Sequence, residues 1–298
     1  MMDRIAEQVA KEQGQTQGMR LAYYPGCVSK STGKEMDLST RAVCSALDIA
    51  LEELDDWNCC GATHVANDLI SVGLAARNMA QTDLPIMTPC AICYSNLRSA
   101  ARRMEEPMVR ARVNAALTKK YSGARVRHAL DVIIEALSKD PDRIAIPLNG
   151  LKVAPYYGCL MTRPRGGIDS PEYPTILEKL IRTLKAEPID FRFKTFCCGG
   201  PIFATGQRAA EDVAYQILSE AKKAGAEAIV TMCPLCHLML DAKQKSIELR
   251  RGETIGVPVL YVTQLVGIAL GLGPDELGLN INSVSPMPVV DKVYQSFA

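Results

Sequence analysis

Ten of the eleven cysteines fall into two sets of the same design. The first is Cys27, Cys59, Cys60, Cys90 and Cys93; the second is Cys159, Cys197, Cys198, Cys233 and Cys236. Each set reads Gly-Cys, then Cys-Cys-Gly, then Cys-x-x-Cys. Adjacent side chains on a regular strand point to opposite faces, so a Cys-Cys pair serves one site only where the backbone bends. The glycines at 61 and 199 supply that bend. Soft thiolates in this number select zinc, copper(I) or iron–sulfur clusters, and the chain is expected to hold two such centres.

A Cys-x-x-Cys at a strand-to-helix turn sets its thiols beside free backbone N–H groups, which lowers thiol pKa and stabilises an anionic centre. Zinc takes four ligands, as does a cubane cluster. Five thiols per set is one more than either needs. A four-cysteine zinc site with one bystander, in one half or both, stays open on spacing alone. A thioredoxin-like exchange site needs two cysteines and leaves three unexplained. Cys44, the eleventh, falls inside a helical pattern and reads as a small apolar core residue.

Other residues stand close to these sets. His64 and His237 follow the cysteine motifs and are candidate proton donors to a departing thiolate, or hydrogen-bonding supports for the site. Arg163 and Arg165 follow Cys159 and are candidates to bind an anionic substrate tail. Ser31-Thr32-Gly33-Lys34 lacks the upstream glycine of a phosphate-binding loop, and no dinucleotide fingerprint is present, so a required flavin belongs to a partner.

The elements that position these residues repeat. Tyr-Pro-Gly-Cys and Tyr-Tyr-Gly-Cys, Cys-Cys-Gly-Ala and Cys-Cys-Gly-Gly, and Pro-Cys-Ala-Ile-Cys and Met-Cys-Pro-Leu-Cys align in order, at offsets of 132, 138 and 143 residues. Strands are expected at Met19–Tyr24, Pro85–Thr88, Lys152–Tyr157, Pro188–Phe193 and Ala226–Thr231. Helices are expected at Glu35–Ala50, Asn67–Thr82, Pro174–Ala186 and Gln207–Ala224, with interrupted helical periodicity up to Leu137. Val257 to Gly273, the most apolar run, reads as a buried strand and a short helix, not a membrane span. The alternation predicts an α/β fold of two tandem pseudo-symmetric domains, each with a mostly parallel sheet flanked by helices. Residues 1–18 read as a polar extension, 19–148 as the first domain and 149–298 as the second, divided at the Pro- and Gly-containing stretch from Ser138 to Gly150.

Composition is that of a globular chain, with 48% hydrophobic and 22% charged residues. A formal net charge of +1 gives no support to nucleic-acid or anionic-membrane partners. The start of the chain has no apolar signal core, and Cys-x-x-Cys pairs suit a reducing compartment, so the expected location is the cytoplasm.

The two five-cysteine patterns, Cys-x(31)-Cys-Cys-x(29)-Cys-x-x-Cys and Cys-x(37)-Cys-Cys-x(34)-Cys-x-x-Cys, resemble the paired CCG domains of the heterodisulfide reductase B subunit. The resemblance runs from Leu21 onward and is closest at Gly158-Cys159, Asp169-Ser170-Pro171, Cys233-Pro234-Leu235-Cys236-His237 and Val259 to Leu265. Trp57-Asn58-Cys59-Cys60-Gly61-Ala62-Thr63-His64 looks like bacterial members. The resemblance implies one noncubane [4Fe-4S] cluster per domain, bound by all five thiolates of each set. It implies disulfide reduction, or the reverse oxidation of thiols or sulfane sulfur, in a cavity between the two clusters. It also implies two partners, an iron–sulfur protein similar to the reductase's C subunit, with a flavoprotein similar to its A subunit. Related CCG subunits of glycolate-, lactate- and succinate-oxidising complexes imply the alternative, a non-catalytic electron-transfer subunit of a flavin-dependent dehydrogenase.

Overall fold

The computed structural model describes residues 19–62, 65–164 and 167–297. The expected extension at 1–18, and with it Thr63, His64, Arg165 and Gly166, lies outside the described residues.

Two four-stranded sheets organise the chain, and every pairing in both is parallel. The first holds β1 (Arg20–Tyr23), β2 (Ala50–Glu53), β3 (Ile86–Thr88) and β4 (Val126–His128) in the order β2-β1-β3-β4. The second holds β5 (Lys152–Pro155), β6 (Glu187–Pro188), β7 (Ala228–Thr231) and β8 (Val259–Tyr261) in the order β6-β5-β7-β8. The same order in both halves is the repeat seen as topology.

Parallel strands need helical crossovers. In the first half these are α1 (Lys34–Ala46), α2 (Asp68–Met79), α3 (Ala91–Arg103) and α4 (Pro107–Ala116), with α5 (Ala129–Lys139) after β4. In the second they are α6 (Ile176–Thr183), α7 (Gln207–Lys223), the short α8 (Pro234–His237) and α9 (Gln244–Arg251), with α10 (Val262–Ala269) after β8 and α11 (Met287–Phe297) near the C-terminus. Between α8 and α9 the chain takes one π-helical turn, Leu238–Ala242. Such turns occur often at functional sites.

Most elements expected around the cysteines form close to their expected bounds, but the strand expected at Pro188–Phe193 does not: β6 is only Glu187–Pro188, and the chain turns through 192–195 before Cys197. β2 and β4 were not anticipated. β2 is only four residues with alternating exposure, and it reads as the tail of the preceding helix pattern. β4 is three residues long within the interrupted helical stretch, too short for a periodicity signal. The apolar run 257–273 forms β8 and α10, and no described helix is long and apolar enough to cross a membrane.

The halves share a core. One continuous cluster of buried side chains includes Leu21, Val43 and Ile133 of the first half with Val153, Ile229 and Val266 of the second. A second cluster fills the far side of the first sheet and takes in Tyr261 from the second half. At the contact of α1 with α10, the Ser39 and Thr263 hydroxyls lie 2.6 Å apart and fully buried. Across the cysteine turns, the Ala91 N–H donates to the Met232 carbonyl at 3.2 Å.

Candidate metal centres

In each half the cysteines follow the carboxyl ends of consecutive strands: Cys27 after β1, Cys59 and Cys60 after β2, and Cys90 at the turn from β3 into α3. The second half repeats this after β5, β6 and β7. Carboxyl ends of parallel strands are where open α/β sheets bind ligands. The tyrosine three residues before each lone cysteine fixes the next loop. Tyr24 Oη donates to the Asn58 carbonyl and Tyr156 Oη to the Phe196 carbonyl, both at 2.7 Å, anchoring the backbone just before each Cys-Cys pair.

The glycines meet a backbone demand and a steric one. Gly61 and Gly199 take φ of 82° and 81°, the bend that lets neighbouring cysteines share a site. At Gly26 and Gly158 (φ 78° and 63°) an added Cβ would stand 2.9 Å from Cys93 Sγ and 3.0 Å from Cys236 Sγ. The chain carrying Cys27 and Cys159 is thus laid against the last cysteine of each set.

All five cysteines of the first set line one small cavity, with Gly26, Val28 and Ile92. Hydrogen bonds from Cys59 and then Cys93 hold the Cys60 thiol down at about 3, while Cys59, the donor, is pushed up. In the second set Cys197 and Cys236 do the same for Cys198, held at about 4. Burial raises Cys159, and the nearby Cys198 and Cys233 add to it. Each set therefore supports one thiolate through its neighbours' S–H groups, and further thiolates call for a cation among them. Backbone donors approach as well, with Cys93 N–H 3.5 Å from Cys90 Sγ and Gly200 N–H 3.4 Å from Cys198 Sγ. Among the described residues no group of three or more His, Cys, Asp or Glu is arranged to hold a single metal ion. The five cysteines of the first set line one space, and their chemistry fits a soft multi-atom centre. Cys44 lies elsewhere, in the shared core, and burial pushes its thiol up to about 12.

A second cavity, of about 240 Å³, lies between the halves. Val28 and Ile92 line it from the first cysteine set, and Pro234 and Leu235 from the Cys-x-x-Cys turn of the second. Four titratable side chains join them: Glu35 at the start of α1, His237 at the end of α8, Asp241 on the π-helical turn and Tyr261 at the end of β8. His237 stacks on Tyr261, and its Nε2 lies 2.9 Å from the Val259 carbonyl. The Asn282 amide nitrogen also stands 3.3 Å from Nε2, but it donates to the Val259 carbonyl at 2.8 Å, so the closer carbonyl contact assigns the proton to Nε2. Burial lowers the His237 pKa to about 4 and raises that of Asp241 to about 6, although Asp241 accepts from the Ser283 and Val284 N–H groups. Burial also raises Glu35, with Asp241 adding a like charge.

Of the other candidates, Arg163 is exposed and donates to the Thr195 carbonyl at 3.2 Å, at the base of the loop carrying Cys197. His64 and Arg165 lie outside the described residues. The sequence reading missed Glu35, Asp241 and Tyr261 as site residues. Glu35 stands in the first turn of α1, where an acidic residue reads as ordinary helix-end chemistry. Only its burial, at 3% exposure, sets it apart.

The fold and the paired cysteine sets define a duplicated cysteine-rich protein. The chain belongs to the cysteine-rich domain family CCG, which matches over residues 21–98 and 153–241. It is 33% identical, over 88% of its length and 96% of the relative, to the 8-methylmenaquinol:fumarate reductase membrane anchor subunit of Wolinella succinogenes. It is 29% identical to the B subunit of the ferredoxin/F420H2-dependent CoB-CoM heterodisulfide reductase of Methanosarcina acetivorans, over 93% of this chain and 97% of that one. A protein of Archaeoglobus profundus, named as like the heterodisulfide reductase B subunit, is 27% identical over 87% and 93%. Among solved structures, a hypothetical protein from Helicobacter pylori shares the fold with a TM-score of 0.74 at 12% identity. That match covers 89% of this chain, which spans about half, 52%, of the Helicobacter pylori chain. The resemblance to the heterodisulfide reductase B subunit read from the cysteine spacings is thereby borne out, as is the two-fold α/β architecture.

Proposed function

We propose that this chain is the iron–sulfur subunit of an oxidoreductase complex that reduces a disulfide, or oxidises thiols or sulfane sulfur in reverse. The observation that carries the reading is the cavity between the halves, walled by Val28 and Ile92, which adjoin Cys27 and Cys93, and by Leu235, which adjoins Cys236. Residues 27, 59, 60, 90 and 93 would hold one noncubane [4Fe-4S] cluster, and residues 159, 197, 198, 233 and 236 the other. Five thiolates exceed the four that zinc or a cubane cluster takes, which favours this assignment over a zinc site in either half. When bound, such clusters supply single electrons and iron that can hold sulfur. The protein's part is to fix ten thiolates, keep the space between the sets narrow and place polar groups along it. Electrons would pass from a flavoprotein similar to the reductase's A subunit through an iron–sulfur protein similar to its C subunit, and the complex would work in the cytoplasm. Relatives named as CoB-CoM heterodisulfide reductase subunits support this reading.

A second reading is a non-catalytic electron-transfer subunit that serves a flavin-dependent dehydrogenase. The 33% identity to a subunit of a menaquinol:fumarate reductase favours it. One experiment separates them. The native complex, isolated without oxygen, is assayed for metal content and for turnover with small disulfides and, separately, with a menaquinol analogue and fumarate. Iron with disulfide turnover supports the first reading, and iron with only quinol-linked turnover supports the second. Stoichiometric zinc overturns both.

A further inference from the structure

The cavity between the halves contains a carboxyl oxygen with nothing to bind. Glu35 is 3% exposed, and its Oε2 is buried without a hydrogen-bond partner. Its other oxygen, Oε1, lies 3.6 Å from His237 Nδ1. The Val259 carbonyl keeps the His237 proton on Nε2, so Nδ1 presents a lone pair towards Glu35. An ionised Glu35 would set a charge against that lone pair, with its second oxygen desolvated and unpaired, an arrangement that disfavours the carboxylate. A proton on Glu35 removes the conflict. The charged and titratable groups facing Glu35 from the elements around it are His237 on α8, Asp241 on the π-helical turn and Tyr261 at the end of β8, and none is a cation that would hold the carboxylate ionised.

From this geometry we infer that Glu35 is the proton donor of the cavity, delivering its proton to the sulfur that leaves when a disulfide bound there is cleaved. The inference rests on the disulfide reading given above and assigns the step that reading leaves open. The reaction consumes two electrons and two protons: the S–S bond breaks, the reduced iron–sulfur partner supplies the electrons, and each sulfur leaves as a thiol. Glu35 gives one proton, becomes a carboxylate and is recharged before giving the second. Asp241 lines the same cavity and accepts from the backbone N–H of Ser283, an exposed residue, so it stands between Glu35 and solvent. The apolar walls, Val28, Ile92 and Leu235 among them, limit the competing supply of protons from bulk water.

The test uses the purified complex with 2-hydroxyethyl disulfide as probe. At pH 7 the infrared spectrum should contain a protonated-carboxyl band that disappears in Glu35→Gln, remains in Asp241→Asn and shifts when the probe is added. Glu35→Gln should keep full iron content and a KM within about twofold, while kcat falls about a hundredfold and its pH dependence flattens. Glu35→Asp, which keeps an acid on a shorter stem, should regain part of the lost rate; a purely structural role predicts equal loss in both variants and overturns the inference. So does a Glu35→Gln enzyme with wild-type kcat and pH profile, or a carboxyl band unaffected by that substitution. A wild-type complex that reduces no disulfide overturns the parent reading, while the infrared comparison still decides whether Glu35 holds the proton.

Discussion

His237 lies flat against Tyr261, with ring centroids 4.2 Å apart and planes 13° from parallel. The other half contains the same two residue types with their places exchanged. There Tyr94 follows Cys93, as His237 follows Cys236, and His128 ends β4, as Tyr261 ends β8. Register confirms the equivalence, since His128 pairs with Thr88 and Tyr261 with Thr231. The exchanged pair meets edge-on, at 5.5 Å and 79°. Only the second-half pair lines the cavity between the halves. The repeat has kept its cysteines and strand order while making the cavity chemically one-sided.

Removal of one cysteine should be felt in its own half. Anaerobically prepared protein is expected to hold about eight irons per chain. Cys60→Ala or Cys198→Ala should lose roughly half of that, because the sets follow separate sheets. Cys44→Ala should keep full iron and cost about 1 kcal/mol of packing. Iron analysis and electron paramagnetic resonance read the outcome; iron loss in Cys44→Ala equal to that in Cys60→Ala would contradict it.

Gly158→Ala sets a Cβ 3.0 Å from Cys236 Sγ at a backbone φ of 63°. It should destabilise the fold by about 1–3 kcal/mol and reduce iron in the second half selectively. The corresponding change at Gly26 should act on the first half, where Cys93 Sγ is 2.9 Å away. Thermal unfolding and iron content measured on both variants check the pairing.

His128 gives a pH dependence of known sign. Its Nδ1 accepts from the Leu130 N–H at 3.1 Å, and Nε2 faces the carbonyls of Pro89 and Met232 without closing a hydrogen bond. Burial lowers its pKa from 6.5 to about 4. The unfolded chain thus binds a proton that the folded one refuses, and stability is lost as pH falls from 6.5 towards 4. By pH 5.5 this amounts to about 1 kcal/mol, a shift of about 2–4 °C in Tm. His128→Asn keeps an acceptor for the Leu130 N–H and should show a smaller drop between pH 7.5 and 5.5.

The Ser39–Thr263 contact joins the halves through two buried hydroxyls. A double-mutant cycle of Ser39→Ala and Thr263→Val should give a coupling of about 1 kcal/mol, because Ser39→Ala takes the partner from the buried Thr263 hydroxyl, while in Thr263→Val the Ser39 hydroxyl still donates to the Glu35 carbonyl at 2.7 Å. Additive effects on unfolding would place the strength of this interface in the apolar core alone.

The cysteine sets were legible because residue type and order survive in the letters, and the repeat doubled the signal. A mostly parallel sheet in each half followed from the repeat and the alternation of strands with helices, while the strand order came only with the structure. β2 and β4 were not legible, since four and three residues carry no measurable period. The inter-half cavity was hidden for another reason. Glu35, His237 and Tyr261 are separated by 202 and 24 residues, and nothing local marks them as neighbours. Their meeting is a product of how the two halves pack.

The Ser39–Thr263 contact spans 224 residues of chain, and the core around it is shared between the halves. On the ribosome, at about 5–20 residues per second, α1 waits roughly 10–45 seconds for the helix that covers it. Within that interval the first cysteine set is completed at Cys93, while the inner apolar face of its half is still open. Order of synthesis therefore gives the cell a period in which the first centre is accessible to loading and the nascent half depends on protection from aggregation. The second centre has no such interval, because Cys236 emerges only shortly before the strand and helix that close over it.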